Sequence, residues 1–203
     1  MGAPFVERAL HHLRRGVFAF AKDSLRATRS LIQARVALRG TQHGTGVRVR
    51  GLAPIVENEG GTIEIGDRVM FDAPVTPTYL VVEEGALLHL GQDCYLNDGV
   101  WISATERVHI GDRVKLGPGV RIIDNNYHDR YDRNLRPPAK PVTIEDDVWI
   151  AADSMVLPGI TIGKGAIVGA HSLVVSDVKP FTVVGGNPAK ELSKLDPARL
   201  VAG

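Results

Sequence analysis

Along most of this chain an aliphatic residue returns at every sixth position. Ile65-Gly66-Asp67-Arg68-Val69-Met70 sets the form, and Leu90-Gly91-Gln92-Asp93-Cys94-Tyr95, Ile110-Gly111-Asp112-Arg113-Val114-Lys115, Ile144-Glu145-Asp146-Asp147-Val148-Trp149 and Ile162-Gly163-Lys164-Gly165-Ala166-Ile167 repeat it. The first position is Ile, Leu or Val, the second is often Gly, and the fifth is small or β-branched. A short strand that turns its aliphatic residue inward and then makes a tight corner uses one such unit per flat side, so three units close a coil of about 18 residues. A single coil leaves its strand edges and inner face bare, and stacking coils at about 4.8 Å satisfies both. The pattern predicts a mainly β solenoid in which Ile144 and Ile162 lie one above the other, with glycine easing the corners.

Two stretches break the beat. Residues 78–84 interrupt it early and are expected to be an insertion. Residues 124–141, from Asp124-Asn125-Asn126-Tyr127-His128-Asp129 onward, are polar, and they leave a wall that resumes at Val142. A solenoid that buries its own core seldom carries such an insert without a use for it.

Ahead of the repeats, Val6, Leu10, Leu13, Val17, Ala21, Leu25, Ile32 and Val36 recur at steps of mostly three and four, predicting an amphipathic helix over 4–38. Gly40 and Gly44 end it. Such a helix has two uses: docking on the body or a sister subunit, or lying on anionic lipid with its basic face toward the head groups. The expected division is a basic helical extension over 1–45, a β-helix domain over 46–190 and a polar tail over 191–203.

Composition changes this picture in three places. A chain of 203 residues, 44% hydrophobic, supports one sizeable domain. Residues 1–50 hold ten Lys or Arg against Glu7 and Asp23, a balance of +8, and the whole-chain charge of +1 leaves −7 for the rest. That asymmetry favours an anionic partner for the extension, such as a membrane surface. Cys94 is the only cysteine, which removes an intrachain disulfide or a thiolate zinc site and fits a reducing, cytoplasmic setting. No apolar run is long enough to span a bilayer, and no nucleic-acid partner is expected.

From 63 to 190 the chain resembles the hexapeptide-repeat acyltransferases, whose fold is a left-handed parallel β-helix. The closest likeness is to the branch of galactoside, maltose and nodulation-factor O-acetyltransferases, with the colanic-acid and xenobiotic acetyltransferases. It is carried by Tyr95-Leu96-Asn97, by the His-bearing insert, and by the run from Asp147-Val148-Trp149-Ile150 to Gly185-Gly186-Asn187-Pro188-Ala189-Lys190. The resemblance implies an N-terminal helix on a left-handed β-helix with a protruding active-site loop, acetyl-CoA as acyl donor without a metal, and a homotrimer with active sites between subunits.

Acetyl transfer to a hydroxyl needs a base, an oxyanion donor and a held acyl carrier. A histidine near its ordinary pKa of about 6.5 suits the first task, and the resemblance assigns it to His128. Asn97 matches an asparagine beside the acceptor sugar, with Asp98 and Asp129 as further candidates for acceptor hydroxyls. Asp124 and Asp129 flank the histidine, and either carboxylate is a candidate to orient its ring. For the coenzyme the resemblance points to Trp149 beside the pantetheine arm, to Ala151, Ala152, Gly169 and Ala170 as a track of small residues, and to Lys190, with Lys179 second, for the phosphates. Val175-Ser176 stands where relatives often carry Thr-Lys, which departs from their adenine-side contact. Cys94 is expected in the core. A zinc carbonic anhydrase on this fold would need three converging imidazoles, and His89, His109 and His171 are not expected to cluster. Transfer to an amine of an amino-sugar nucleotide and a non-catalytic scaffold are the competing functions.

Overall fold

A computed structural model describes residues 28–199, and the helical expectation for 4–27 lies outside them. Three sheets wind into a left-handed β-helix. The first wall takes Gln42–His43, Thr62–Ile65, Leu87–Leu90, Arg107–Ile110, Val142–Ile144 and Thr161–Ile162. The second runs from Arg48–Gly51 through Met70–Ala73, Tyr95–Leu96, Lys115–Leu116, Trp149–Ile150 and Ile167–Val168 to Thr182–Gly185. The third takes Ile55–Asn58, Tyr79–Val82, Trp101–Ala104, Arg121–Ile123, Met155–Val156 and Leu173–Val174.

The register follows the hexad. Ile144 pairs with Ile162 in parallel, as the repeat requires. One column of the core is Ile65, Leu90, Ile110, Ile144 and Ile162, and a second is Leu96, Leu116, Ile150 and Val168, all buried. Each such side chain contributes about 1.5–3 kcal/mol by leaving water. Cys94 is also buried in this core, where its Sγ donates to the Gly111 carbonyl at 3.1 Å and burial pushes the thiol up to about 12.

The corner between the first and second walls is built from charge. Arg68, Asp93, Arg113 and Asp147 sit there with φ of 57°, 56°, 57° and 62°, a left-handed conformation that costs a non-glycine residue about 1–3 kcal/mol. Their side chains pair across successive coils. Arg68 donates to Asp93 at 2.7 and 2.6 Å, and Arg113 donates to Asp147 at 2.6 and 3.0 Å. The neighbouring carboxylates cap backbone of the coil above: Asp67 accepts from Thr45 N–H at 2.6 Å, Asp112 from Gln92 and Asp146 from Asp112, both at 3.0 Å. These donors hold Asp67, Asp93 and Asp147 below the usual carboxylate range, through Thr45, Arg68 and Arg113 respectively.

The glycines beside this corner answer a different need from the expected one. Gly66 and Gly111 are absent from the positive-φ positions. A Cβ on Gly66 would instead lie 2.5 Å from the backbone nitrogen of Gln92 in the next coil. Coil spacing, and not backbone angle, requires glycine there.

Three other expectations change. The supposed insertion over 78–84 contains the third-wall strand Tyr79–Val82, with Leu80 and Val82 buried, because the early coils are longer without leaving the prism. Residues 28–37 are helical, but Ile32 and Val36 of the apolar stripe are 59% and 53% exposed. The helix docks instead through Ala34 and Leu38, which join the core, and Ser30 Oγ accepts Val49 N–H at 2.9 Å. Beyond the last coil, Lys190–Lys194 turns back as a strand antiparallel to Thr182–Gly185. Among the described residues no helix is long and apolar enough to cross a membrane.

Candidate active site

The insert leaves the third wall after Ile123 and returns to the first at Val142, so it projects from the corner between them. His128 is exposed on it. Its Nδ1 lies 2.8 Å from the carbonyl oxygen of Arg133. A carbonyl only accepts, so a neutral imidazole here carries its proton on Nδ1 and keeps the Nε2 lone pair free.

Neither flanking carboxylate touches the ring. Asp124 is buried and accepts three backbone N–H groups, from Thr105 at 2.8 Å, Glu106 at 2.7 Å and Arg107 at 2.8 Å. Asp129 accepts from Tyr131 and Asp132 N–H at 2.8 and 3.2 Å, and these donors lower its carboxyl. The one orienting role for which Asp124 and Asp129 were alternatives is therefore filled by the Arg133 carbonyl, a partner to which no side-chain pattern in the sequence points.

The corner between the second and third walls differs from the charged one. Asn97, Gly117, Ala151, Gly169 and Gly185 directly follow the paired residues Leu96, Leu116, Ile150, Val168 and Val184. They climb the corner as a ladder, with N–H groups donating to the carbonyls of Leu116, Ile150, Val168 and Val184 at 3.1, 2.8, 2.9 and 2.8 Å for the first four. At one coil spacing per step the ladder is about 19 Å long. Ala152 and Ala170 follow Ala151 and Gly169 beside it. Trp149 stands two positions before Ala151 on the outward side of the second wall and is 50% exposed. Lys190 is exposed and pairs with Gly185, which places it at the far end. Asn97 stands at the near end. The structure thus brings Asn97, Trp149, Ala151, Gly169 and Lys190 to one corner and its margins, and His128 to another.

Asp98 has a structural duty: its Oδ1 accepts the N–H groups of Val75 and Thr76 at 2.8 and 2.9 Å, bracing the preceding coil. Two positions before Asn97, the Tyr95 hydroxyl donates to Asp72, which is also paired with Arg50. The Arg50 guanidinium holds the buried Asp72 carboxyl below its ordinary range. His89 and His109 stack as a pair, with ring centroids 4.7 Å apart on adjacent strands of the first wall. His171 stands apart at a left-handed corner, 3.9 Å from Asp153. Among the described residues no three His, Cys, Asp or Glu side chains are grouped to hold a metal.

Coils of this register carry a histidine on an excursion at one corner and a bare ladder at another. The model of the bacterial transferase hexapeptide (six repeats) matches residues 141–176. A hexapeptide-repeat-containing acetyltransferase from Vibrio cholerae O1 biovar eltor, solved in complex with acetyl coenzyme A, is 30% identical over 68% of this chain and 71% of that one, with a TM-score of 0.56. Chloramphenicol acetyltransferase of Agrobacterium fabrum is 36% identical over 118 residues, 57% of this chain and 56% of that protein. Galactoside O-acetyltransferase of Escherichia coli K12 is 29% identical over 134 residues, 65% of this chain and 64% of its own length. The chain belongs to the hexapeptide-repeat acyltransferase family. It spans between half and two thirds of the length of these curated relatives.

Proposed function

We propose that the protein is an acetyl-CoA-dependent O-acetyltransferase that acetylates a hydroxyl of a sugar or of a polysaccharide or lipid-linked glycan intermediate. The observation that carries this reading is the His128 Nδ1 contact with the Arg133 carbonyl, which frees Nε2 to accept a proton. Nε2 takes the proton of the acceptor hydroxyl as that oxygen attacks the acetyl carbonyl carbon. The carbon–sulfur bond breaks, and Nε2–H returns the proton to the leaving thiolate. The corner ladder through Ala151 and Gly169 offers backbone without bulky side chains, the surface that an extended pantetheine arm needs. Trp149 borders that arm, Lys190 meets the phosphates, and Asn97 faces the acceptor. The acetyl coenzyme A bound to the Vibrio cholerae relative supports the choice of donor.

The active unit in this reading is a homotrimer. Base and ladder occupy different corners of the triangular coil, so a second copy supplies the half that each chain lacks. The enzyme works in the cytoplasm. The +8 balance of residues 1–50 supports contact of the basic extension with the inner face of the membrane. Co-sedimentation with anionic and neutral vesicles, with and without residues 1–38, tests that contact, and equal pelleting in all four arms removes it.

An acceptor screen tests the function. Purified protein with acetyl-CoA is offered mono- and oligosaccharides, lipid-linked sugars, an amino-sugar nucleotide and chloramphenicol, and thiol release and product mass are read. Acetyl ester formation on a sugar hydroxyl is expected. Amide formation on the amino sugar, an ester on chloramphenicol alone, or no acceptor-dependent thiol release would each overturn the assignment.

A further inference from the structure

His128 is fixed to its own loop through Arg133, so its position relative to the β-helix is only as definite as the position of the loop. The two arms of the loop are tied to each other. Asn125 Nδ2 donates to the Pro137 carbonyl at 3.0 Å, and Lys140 N–H donates to the Asp124 carbonyl at 2.8 Å. At its roots the loop is fixed to the body by Asp124, which accepts the N–H groups of Thr105, Glu106 and Arg107, and by the Lys140 carbonyl, which accepts Gly159 N–H at 2.9 Å. Farther out, around His128, two side chains tie it to the body. The Tyr127 hydroxyl lies 2.5 Å from Ser103 Oγ on the third wall. Arg136 donates to Glu83 Oε1 at 2.5 Å and to Thr105 Oγ1 at 3.0 Å. Its guanidinium also lies 4.8 Å from the centroid of the Tyr127 ring. One arm thus closes over the other, and both are held against earlier coils.

Tyr127 is the residue next to the histidine, and it holds a left-handed φ of 62°. A bulky side chain keeps that conformation only where its surroundings over-determine it. Here they do: its N–H donates to Asn125 Oδ1 at 2.6 Å, its hydroxyl meets Ser103, and its ring meets Arg136. Charge assistance makes the Arg136–Glu83 contact the stronger tie, and Glu83 raises the Arg136 guanidinium further.

We propose that Tyr127, Arg136 and Glu83 form a clasp that positions His128 against the wall, so that they act on the transfer reaction without touching the reacting atoms. The proposal rests on the reading of His128 as base. Displacing a catalytic group by about 1 Å costs about a hundredfold in rate, and the clasp is what removes that freedom. Lysine at 136 keeps the charge but loses the planar group over the tyrosine ring.

The experiment compares wild type, Arg136→Ala, Arg136→Lys, Tyr127→Phe, Glu83→Gln, His128→Ala and the double variant Arg136→Ala/His128→Ala. Amide hydrogen exchange across 124–141, kcat, and KM for acetyl-CoA are read for each. Arg136→Ala is expected to speed exchange in the loop while strands such as Trp149–Ile150 keep their protection. Its kcat should fall about tenfold to a hundredfold with KM for acetyl-CoA within about twofold. Arg136→Lys, Glu83→Gln and Tyr127→Phe should fall between it and wild type. In the His128→Ala background, Arg136→Ala should cause no further loss. Unchanged loop exchange in Arg136→Ala overturns the clasp whatever the rates do. Faster exchange with unchanged kcat, beside an inactive His128→Ala, shows a clasp that does not position the base and also overturns it. Full activity of His128→Ala removes the functional reading itself, and the clasp loses its role with it.

Discussion

Two corners of the same triangular coil solve one geometric problem in opposite ways. Between the first and second walls, Arg68, Asp93, Arg113 and Asp147 hold the left-handed turn, and ion pairs between coils close the surface. Between the second and third, the ladder from Asn97 through Gly117, Ala151 and Gly169 to Gly185 keeps all but its first side chain to a methyl or less, which leaves the backbone open. A corner filled with paired charge has no room for a ligand and serves stability. A corner stripped of bulk forgoes those contacts and keeps its backbone uncovered by side chains.

Between the two corners, the largest expected effect comes from filling the bare one. Ala151→Trp should weaken acetyl-CoA binding by at least about a hundredfold in calorimetry, with the unfolding temperature nearly unchanged. Glycine substitutions sharpen the contrast. Gly66→Ala drives a Cβ to 2.5 Å from Gln92 N and should destabilise by about 1–3 kcal/mol in denaturant unfolding. At Gly169 the nearest atom is the Val184 carbonyl oxygen at 3.4 Å, an ordinary contact. Gly169→Ala should therefore leave unfolding within about 0.5 kcal/mol and act on coenzyme binding.

Breaking the charged corner should be milder and should spare the reaction. Arg113→Met removes the nearer of two partners of Asp147, with Lys164 Nζ left at 3.7 Å, and loss of the partly exposed pair should cost about 1 kcal/mol with kcat and KM unchanged. Acid should separate the corners last. Asp67, Asp93 and Asp147 have folded-state carboxyls below their unfolded value of about 3.9. Their contribution is complete above that value and is lost as pH falls through the folded pKa values. Thermal scans should show steady stability from neutral pH to about pH 5 and a decline below about pH 4 that is smaller in Arg113→Met.

The walls were legible because burial repeats: Ile144 and Ile162 must both face inward, and only one period allows it. Handedness came through family resemblance alone, since a hexad repeats equally well in either hand. The ladder was half legible, because Ala151 and Gly169 stand out as small residues where resemblance placed the coenzyme, whereas Gly185 is recognisable as a rung only from the register. His128 was legible as a lone histidine in a break of the beat. Its orienting partner was not, because every residue has a carbonyl and only the folded loop brings that of Arg133 to Nδ1. The ties of Tyr127 and Arg136 were not legible for a related reason: their partners, Ser103 and Glu83, lie on earlier coils. Residues 78–84 misled because a longer coil disturbs the period without leaving the wall.

The central claim is that a base on the loop and a donor track on the wall are separate parts of one site. Single-turnover acetyl transfer by wild type and His128→Ala, with acetyl-CoA affinity measured on both, tests it most directly. The account predicts affinities within about twofold and a rate at least about a thousandfold lower in His128→Ala. Equal rates, or loss of coenzyme binding in His128→Ala, would contradict it.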